Sequence, residues 1–462
     1  MRSLHLCRVF VRSLFGVAVI LGIVSQGLSA PPNIVLLFSD DAGFADFGFQ
    51  DECSPEMAAV TPRLTKLASE GIRFTDAYVS GCVCSPSRAG LSTGRYQERF
   101  GHEMNIPPGY MEQGLPLSEK FIGDHLRPAG YKTGLIGKWH LGYPEPYQPN
   151  QRGYDHFYGF LQGARNYHPY PEDRRPPHQL FQVNGEFLSE EGYSTDRIGQ
   201  AACEFIETQR EHPFFLFVSF NAVHGPLQAR ERDYEALSKI EDSRHRHYVG
   251  MMKALDENVA LILDCLEQNE LADNTLVVFT NDNGGQTSLT ASNAPLKGRK
   301  GSLWEGGVRV PMLMRWPGVI PAGRVTQEPV ITLDFLPTFL AAAKMSPLPG
   351  VSLDGLNLLP LITGETDDLP KRNLYWRRSG PKGPISIRSK AWKIIFNRGE
   401  EAAAPELYHL RNDIGEENNL AAEHPEIVEE LVKEMLAWES EMVDPLWGGP
   451  QRGQKNASSR AR

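Results

Sequence analysis

Long apolar runs are scarce in this 462-residue chain, and so are cysteine and surplus positive charge. The longest lipid-like stretch, residues 14–24, is about half of the ~20 apolar residues that a bilayer span needs. Arg2, Arg8 and Arg12 precede it and Gly27-Leu28-Ser29-Ala30 follows it, the order of a secretory signal peptide. Cleavage after Ala30 and no stable membrane anchor are therefore expected. Six cysteines, five once residues 1–30 are removed, are too few for a disulfide scaffold. Cys53 and Cys82 are a conceivable pair that the sequence does not decide. Lys plus Arg number 47 against 57 Asp plus Glu, a formal charge of −10 that becomes −13 without the three leading arginines. That balance argues against nucleic acid as a partner. Asn-x-Ser/Thr occurs once, at Asn456-Ala457-Ser458, whereas a lysosomal protein usually carries several such sites in its body. A bacterial exported protein, periplasmic or extracellular, fits better.

Apart from these absences the composition is that of an ordinary globular protein, with 41% hydrophobic and 23% charged residues. Apolar runs over 33–38, 72–78, 131–136, 214–220 and 275–280 read as buried strands. Helical spacing over 61–71, 119–126, 196–209 and 248–267 alternates with them. The pattern predicts an α/β fold, a large mostly parallel sheet sandwiched by helices. Residues 143–191, rich in Pro, Gly, Tyr and His, read as long loops. After a strand at 311–315 and a helix over 333–343, short strands at 374–377, 385–388, 392–396 and 406–409 fall at hairpin spacing, and a helix over 425–438 closes the region. We expect a main domain over 31–368, a C-terminal subdomain with a four-stranded antiparallel sheet and a helix over 369–448, and a disordered tail over 449–462.

Polar clusters fall at the carboxyl ends of the strands, where open α/β sheets place their sites. Asp40, Asp41, Asp282 and Asn283 are hard oxygen donors suited to Ca²⁺ or Mg²⁺ rather than zinc. In isolation Asp40-Asp41 reads as a helix cap, and residues 281–285 as a turn. Lys138 and His140 stand two apart in a segment that, if extended, projects them the same way. Cys84 precedes a helix start that Ser85 can cap, Pro86 can open and Gly94 can close. The helix field and Arg88 would place positive charge at its thiol.

The string Cys84-Ser85-Pro86-Ser87-Arg88, with Leu91-Ser92-Thr93-Gly94-Arg95, closely resembles the signature of the type I sulfatases, arylsulfatase-like members of the alkaline phosphatase superfamily. The C-terminal strands, with Glu406-Leu407-Tyr408-His409-Leu410 before the last helix, resemble that family's C-terminal subdomain. The resemblance implies that a maturing enzyme oxidises Cys84 to formylglycine before folding, with Arg88 as its stabilising neighbour. It implies one Ca²⁺ per chain, held by Asp40, Asp41, Asp282, Asn283 and the modified Cys84. Lys138, in Gly-Lys-Trp-His-Leu-Gly, and Lys300 are sulfate-binding lysines by the same resemblance; Lys300-Gly301 is preferred over Lys297-Gly298 on its spacing to Glu305-Gly306-Gly307. The resemblance also implies that Lys300 and His224 protonate the leaving alcohol and that His140 removes a proton from the hydrated aldehyde.

These expectations describe a sulfuric ester hydrolase acting on a sulfated carbohydrate, with aryl sulfates as artificial substrates. A phosphohydrolase or phosphonate hydrolase of the same superfamily is the first alternative; a non-catalytic anion-binding protein, if Cys84 stays unmodified, is the second. Residues 101–105, and Gln162, Arg165, Asn166, Tyr167 and His168 in the loop 159–170, offer polar and aromatic groups suited to sugar binding.

Overall fold

The central strand, Asn33–Ser39, shows why the sheet is buried on both faces. Val35 and Leu37 point into one apolar cluster; Ile34, Leu36 and Phe38 point into another. The same period-two division runs through the neighbouring strands: Leu216 and Val218 face one way, Phe215 and Phe217 the other. Helices Ser194–Gln209 and Ser243–Gln268 cover the first face, and Phe335–Ala342 covers the second. The computed structural model describes residues 31–398 and 404–448. The expected signal peptide, tail and Asn456 site lie outside them. Among the described residues no helix is long and apolar enough to cross a membrane.

Five parallel strands form the middle of a ten-stranded sheet, in the order Thr275–Asn281, Asn33–Ser39, Phe214–Ser219, Lys132–Lys138, His156–Phe160. Met312–Arg315 continues it antiparallel beyond Thr275–Asn281. The strand at 156–160 lies inside the stretch expected to be all loop. Its sequence, His-Phe-Tyr-Gly-Phe, is short and interrupted by Gly159, which signals no strand. That glycine is required by the pairing: a Cβ there would stand 1.9 Å from the Gly137 carbonyl oxygen of the neighbouring strand. The expected strand over 72–78 is broken into Ile72–Phe74, in the large sheet, and Ala77–Tyr78, which pairs with Val330–Ile331.

The C-terminal sheet runs Asn373–Arg377, Ile385–Ser389, Trp392–Phe396, Glu406–His409, antiparallel throughout, with helix Pro425–Glu439 against it. Trp376, Ile387 and Ile394 share one apolar cluster with Tyr78, Cys82 and Tyr96. The small sheet therefore packs directly on the chain leading into Cys84.

Candidate functional site

Cys84 is the first residue of helix Cys84–Thr93 and is buried. Val83 occupies the cap position with no side-chain bond, so the expected capping by Ser85 does not occur. Ser85 Oγ instead donates to the His140 carbonyl at 2.6 Å and lies 2.7 Å from His102 Nε2. Because the hydroxyl proton goes to that carbonyl, His102 must donate from Nε2. A neutral ring fits: burial, with Arg152 adding to it, pushes His102 down to about 3. Asn105 Oδ1 accepts the Ser85 amide at 2.9 Å. Gly94 closes the helix with φ +64°, as expected.

The Cys84 thiol is not made acidic by its helix. Burial and then Asp282 push it up to about 12, against Lys138 and Lys300. An unmodified Cys84 is a neutral thiol and a poor nucleophile at physiological pH.

Ser39 pairs with Asn281 across two parallel strands, so the polar residues following each strand meet. The Asp41 amide donates to Asp282 Oδ1 at 3.2 Å, and Asn283 Nδ2 donates to Asp41 Oδ1 at 2.8 Å. Asn283 Oδ1 is buried with no hydrogen-bond partner. An orphaned amide oxygen beside three buried carboxylates is a donor set that fits a hard divalent cation. One ligand atom from each of Asp40, Asp41, Cys84 and His224 lies within 4.8 Å of the others.

Three cations interleave with these acids. Arg88 Nη2 is 3.0 Å from both Asp40 Oδ2 and Asp282 Oδ2, and its Nη1 is 2.5 Å from Ser219 Oγ. Lys138, fully buried at the end of its strand, pairs with Asp40. Lys300 Nζ lies 2.7 Å from Asp41 Oδ2 and 3.2 Å from Cys84 Sγ. Burial raises the Asp40 carboxyl, but Lys138, His224 and Arg88 together hold it below its ordinary value. Burial and Asp40 raise Asp282. Lys297 turns away: its Nζ sits 3.7 Å from the Trp304 ring centroid and 3.0 Å from the Glu416 carbonyl. Of the two lysines, Lys300 is therefore the one beside Cys84.

His140 is not in the extended segment expected after Lys138. The strand ends at Lys138, and His140 has φ +63°. Its ring packs on Gly163, where a Cβ would fall 2.3 Å from Cε1, and its Nδ1 has no partner. Burial, then Lys138 and Arg88, press its pKa well below the usual value, so the ring is neutral. His224 Nδ1 donates to the Gly225 carbonyl at 2.7 Å, and Nε2 lies 3.5 Å from Asp41 Oδ2. The His224 and Lys300 side chains keep 23% and 13% exposure, whereas those of Asp40 and Lys138 have none.

Several candidates for sugar contact turn inward. His102 and Glu103 are buried, and Glu103 pairs with Arg377. Arg165 pairs with Glu190 at 2.7 Å. Tyr167 is buried with its hydroxyl 2.6 Å and 2.8 Å from the Asn221 and His224 carbonyls, so it supports His224. Sequence reading missed Ser219, which also donates to the Lys138 carbonyl at 2.7 Å; its place at a strand end was the available signal. Among the described residues no disulfide joins Cys53, Cys82, Cys84, Cys203 or Cys265.

A family profile described as "Sulfatase" matches residues 32–345. A second, "N-sulphoglucosamine sulphohydrolase, C-terminal", matches residues 299–441. The chain is 35% identical to human N-acetylgalactosamine-6-sulfatase over 375 residues, 76% of this chain and 69% of that protein. It is 32% identical to human arylsulfatase A over 482 residues, 92% of this chain and 91% of that protein. The crystal structure of Ps i-CgsB in complex with k-i-k-neocarrahexaose superposes with a TM-score of 0.85 at 36% identity, covering 91% of this chain and 95% of that one.

Proposed function

The chain belongs to the sulfatase family and is a sulfuric ester hydrolase, and from that premise we propose that it removes sulfate from a sulfated carbohydrate, using a formylglycine made from Cys84. The observation that carries this reading is the convergence, around one buried cysteine at a helix start, of three carboxylates, an orphaned amide oxygen and three cations. The carbohydrate rests on the names of similar proteins, one acting on N-acetylgalactosamine-6-sulfate and one solved with a neocarrahexaose.

Asp40, Asp41, Asp282 and Asn283, with the modified Cys84, would hold one Ca²⁺. When bound, the ion and the aldehyde supply Lewis acidity and a nucleophilic oxygen that an ordinary thiol lacks. The remaining chemistry belongs to side chains of the chain itself. Lys138 and Lys300 offer ammonium groups to the sulfuryl oxygens, and Arg88 fixes Asp40 and Asp282 while its charge stays buried. Such donors matter because charge shifts to the leaving oxygen in the transition state; losing one typically costs ~10²–10³ in rate. Lys300 and His224, the more exposed groups of the cluster, would give the departing alcohol a proton. His140, neutral and with its Nδ1 unpartnered, offers a ring nitrogen as the proton acceptor.

An acidic protein can bind an anionic ester because the positive charge is local. We further propose export after removal of residues 1–30, modification of Cys84 by a maturing enzyme, and a domain boundary near 368.

Release of inorganic sulfate from a panel of sulfated mono- and oligosaccharides, alongside nitrophenyl sulfate and nitrophenyl phosphate, tests the reading. Sulfate release from at least one sugar, with nitrophenyl sulfate cleaved far faster than the phosphate, is expected. Preference for the phosphate ester would favour the phosphohydrolase alternative. Chelation should abolish turnover and Ca²⁺ should restore it better than Mg²⁺.

A further inference from the structure

The first strand of the C-terminal sheet, Asn373–Arg377, runs on into Arg378, Ser379 and Gly380, and these residues grip two loops beside Cys84. One leg goes to the loop 101–105. Arg377 pairs with Glu103, Glu103 Oε2 accepts the Gly380 amide at 2.9 Å, and Ser379 Oγ lies 3.4 Å from Met104 Sδ. That loop ends on the Ser85 amide through Asn105. The other leg is Arg378, whose guanidinium donates to the carbonyl of Gly301.

Gly301 is the residue after Lys300. Its own amide donates to the Cys82 carbonyl at 2.8 Å, and the Lys300 amide donates to the Gly285 carbonyl at 3.2 Å. The surrounding loop has no regular secondary structure and turns on two left-handed glycines, Gly298 at φ +88° and Gly301 at φ +85°. Glycine leaves such a loop loose unless its peptide groups are tied down. Arg378 ties the carbonyl side, and a Cβ at Gly301 would stand 3.6 Å from Arg378 Nη1. What the tie protects is the placement of Lys300 Nζ, 3.2 Å from Cys84 Sγ at the end of a flexible four-carbon stem.

We propose that Arg378 is a positioning residue for Lys300, holding the 298–302 loop through the Gly301 carbonyl so that the ammonium meets the sulfuryl group. The proposal rests on the role given to Lys300 above. The C-terminal subdomain thereby contributes to the chemical step without touching substrate.

The test compares Arg378→Ala, Arg378→Lys, Lys300→Ala and the double alanine variant on nitrophenyl sulfate, a substrate with no sugar to recognise. Rates are expressed per formylglycine, counted by mass spectrometry in each variant. Displacing a charged group by about an ångström can cost up to ~10²-fold, so Arg378→Ala should lower kcat roughly ten- to a hundredfold with little change in KM. Arg378→Lys, which keeps a donor, should recover part of the loss. Residues acting as one unit are not additive, so the double variant should match Lys300→Ala within about twofold. Losses that multiply in the double variant, or an unchanged kcat with a raised KM on sulfated sugars only, would overturn the proposal; the second result would make Arg378 a direct sugar contact. A silent Arg378→Ala beside an impaired Lys300→Ala overturns this inference alone. A fully active Lys300→Ala overturns the role of Lys300 as well. If Arg378→Ala fails to fold, the Arg378→Lys cycle with Lys300→Ala gives the same additivity reading.

Discussion

Two buried charge clusters in this molecule are made of similar parts and do different things. Under the C-terminal sheet, Asp76, Glu305 and Glu416 face Arg309, Arg388 and Lys393. At Cys84, Asp40, Asp41 and Asp282 face Arg88, Lys138 and Lys300. Both match three acids with three bases, so a buried ion cluster alone does not mark a site. The first joins two sheets: Glu305 accepts the Tyr78 hydroxyl at 2.5 Å and pairs with Lys393 at 2.7 Å, from different parts of the fold. The second stands at the carboxyl ends of parallel strands and leaves the Asn283 Oδ1 and His140 Nδ1 atoms without partners. Glu416 Oε1 of the first cluster also lacks a hydrogen bond but keeps Lys393 Nζ at 3.0 Å, so neutral polar atoms with no counter-charge, at a strand end, separate the reactive cluster from the structural one.

The comparison is broken most severely by exchanging the two clusters' phenotypes. Asp282→Ala should abolish turnover while the purified protein keeps its far-UV circular dichroism. An active Asp282→Ala would remove the reason for treating the clusters differently. His224→Ala should cost roughly 10²–10³ on sulfate esters of alkyl alcohols and clearly less on activated aryl sulfates, which need little protonation. Equal losses on both would make His224 a binding group only. Glu305→Ala, in the structural cluster, should cost about 3–5 kcal/mol in denaturant unfolding because it leaves three buried bases facing two acids and the buried Tyr78 hydroxyl without its acceptor. Its folded fraction should retain kcat; a kcat loss at unchanged stability would reverse the assignment.

A smaller effect sharpens the link between Ser85 and His102. The folded pKa of His102 is about 3, depressed by burial and by Arg152, against an unfolded value near 6.5. Between these values the unfolded chain binds a proton that the folded chain does not, so stability falls as pH drops from about 6.5 toward 3. The contribution changes by at most ~1.4 kcal/mol per pH unit. His102→Gln, which keeps an amide donor, should flatten that part of the melting-temperature profile. An unchanged slope would contradict the neutral, Nε2-protonated ring.

Much of this was readable in the residues. The apolar strands, the oxygen donors after two of them and the Cys84 motif survive as elements because each is specified locally. Lys300 was separable from Lys297 by spacing, and the structure turns Lys297 onto Trp304. Other features were invisible for a stated reason. The strand at His156–Phe160 is held by a glycine-to-glycine approach between strands that no period of apolar residues announces. The left-handed His140 depends on tertiary bonds to Leu161 and Ser85, and the raised Cys84 thiol on burial outweighing the field of its own helix. In loops 101–105 and 159–170 the charged Glu103 and Arg165 pair inward with Arg377 and Glu190, while Gln162 and Asn166 stay partly exposed and His168 exposed.

The most direct test is mass spectrometry of the tryptic peptide 74–88 from protein made in a host with the maturing enzyme. It holds both Cys82 and Cys84, so the first is an internal control for the second. The account predicts an aldehyde at Cys84, an intact thiol at Cys82, an inactive Cys84→Ala and chemistry preserved in Cys82→Ala. A fully active enzyme in which Cys84 remains an unmodified thiol would contradict it.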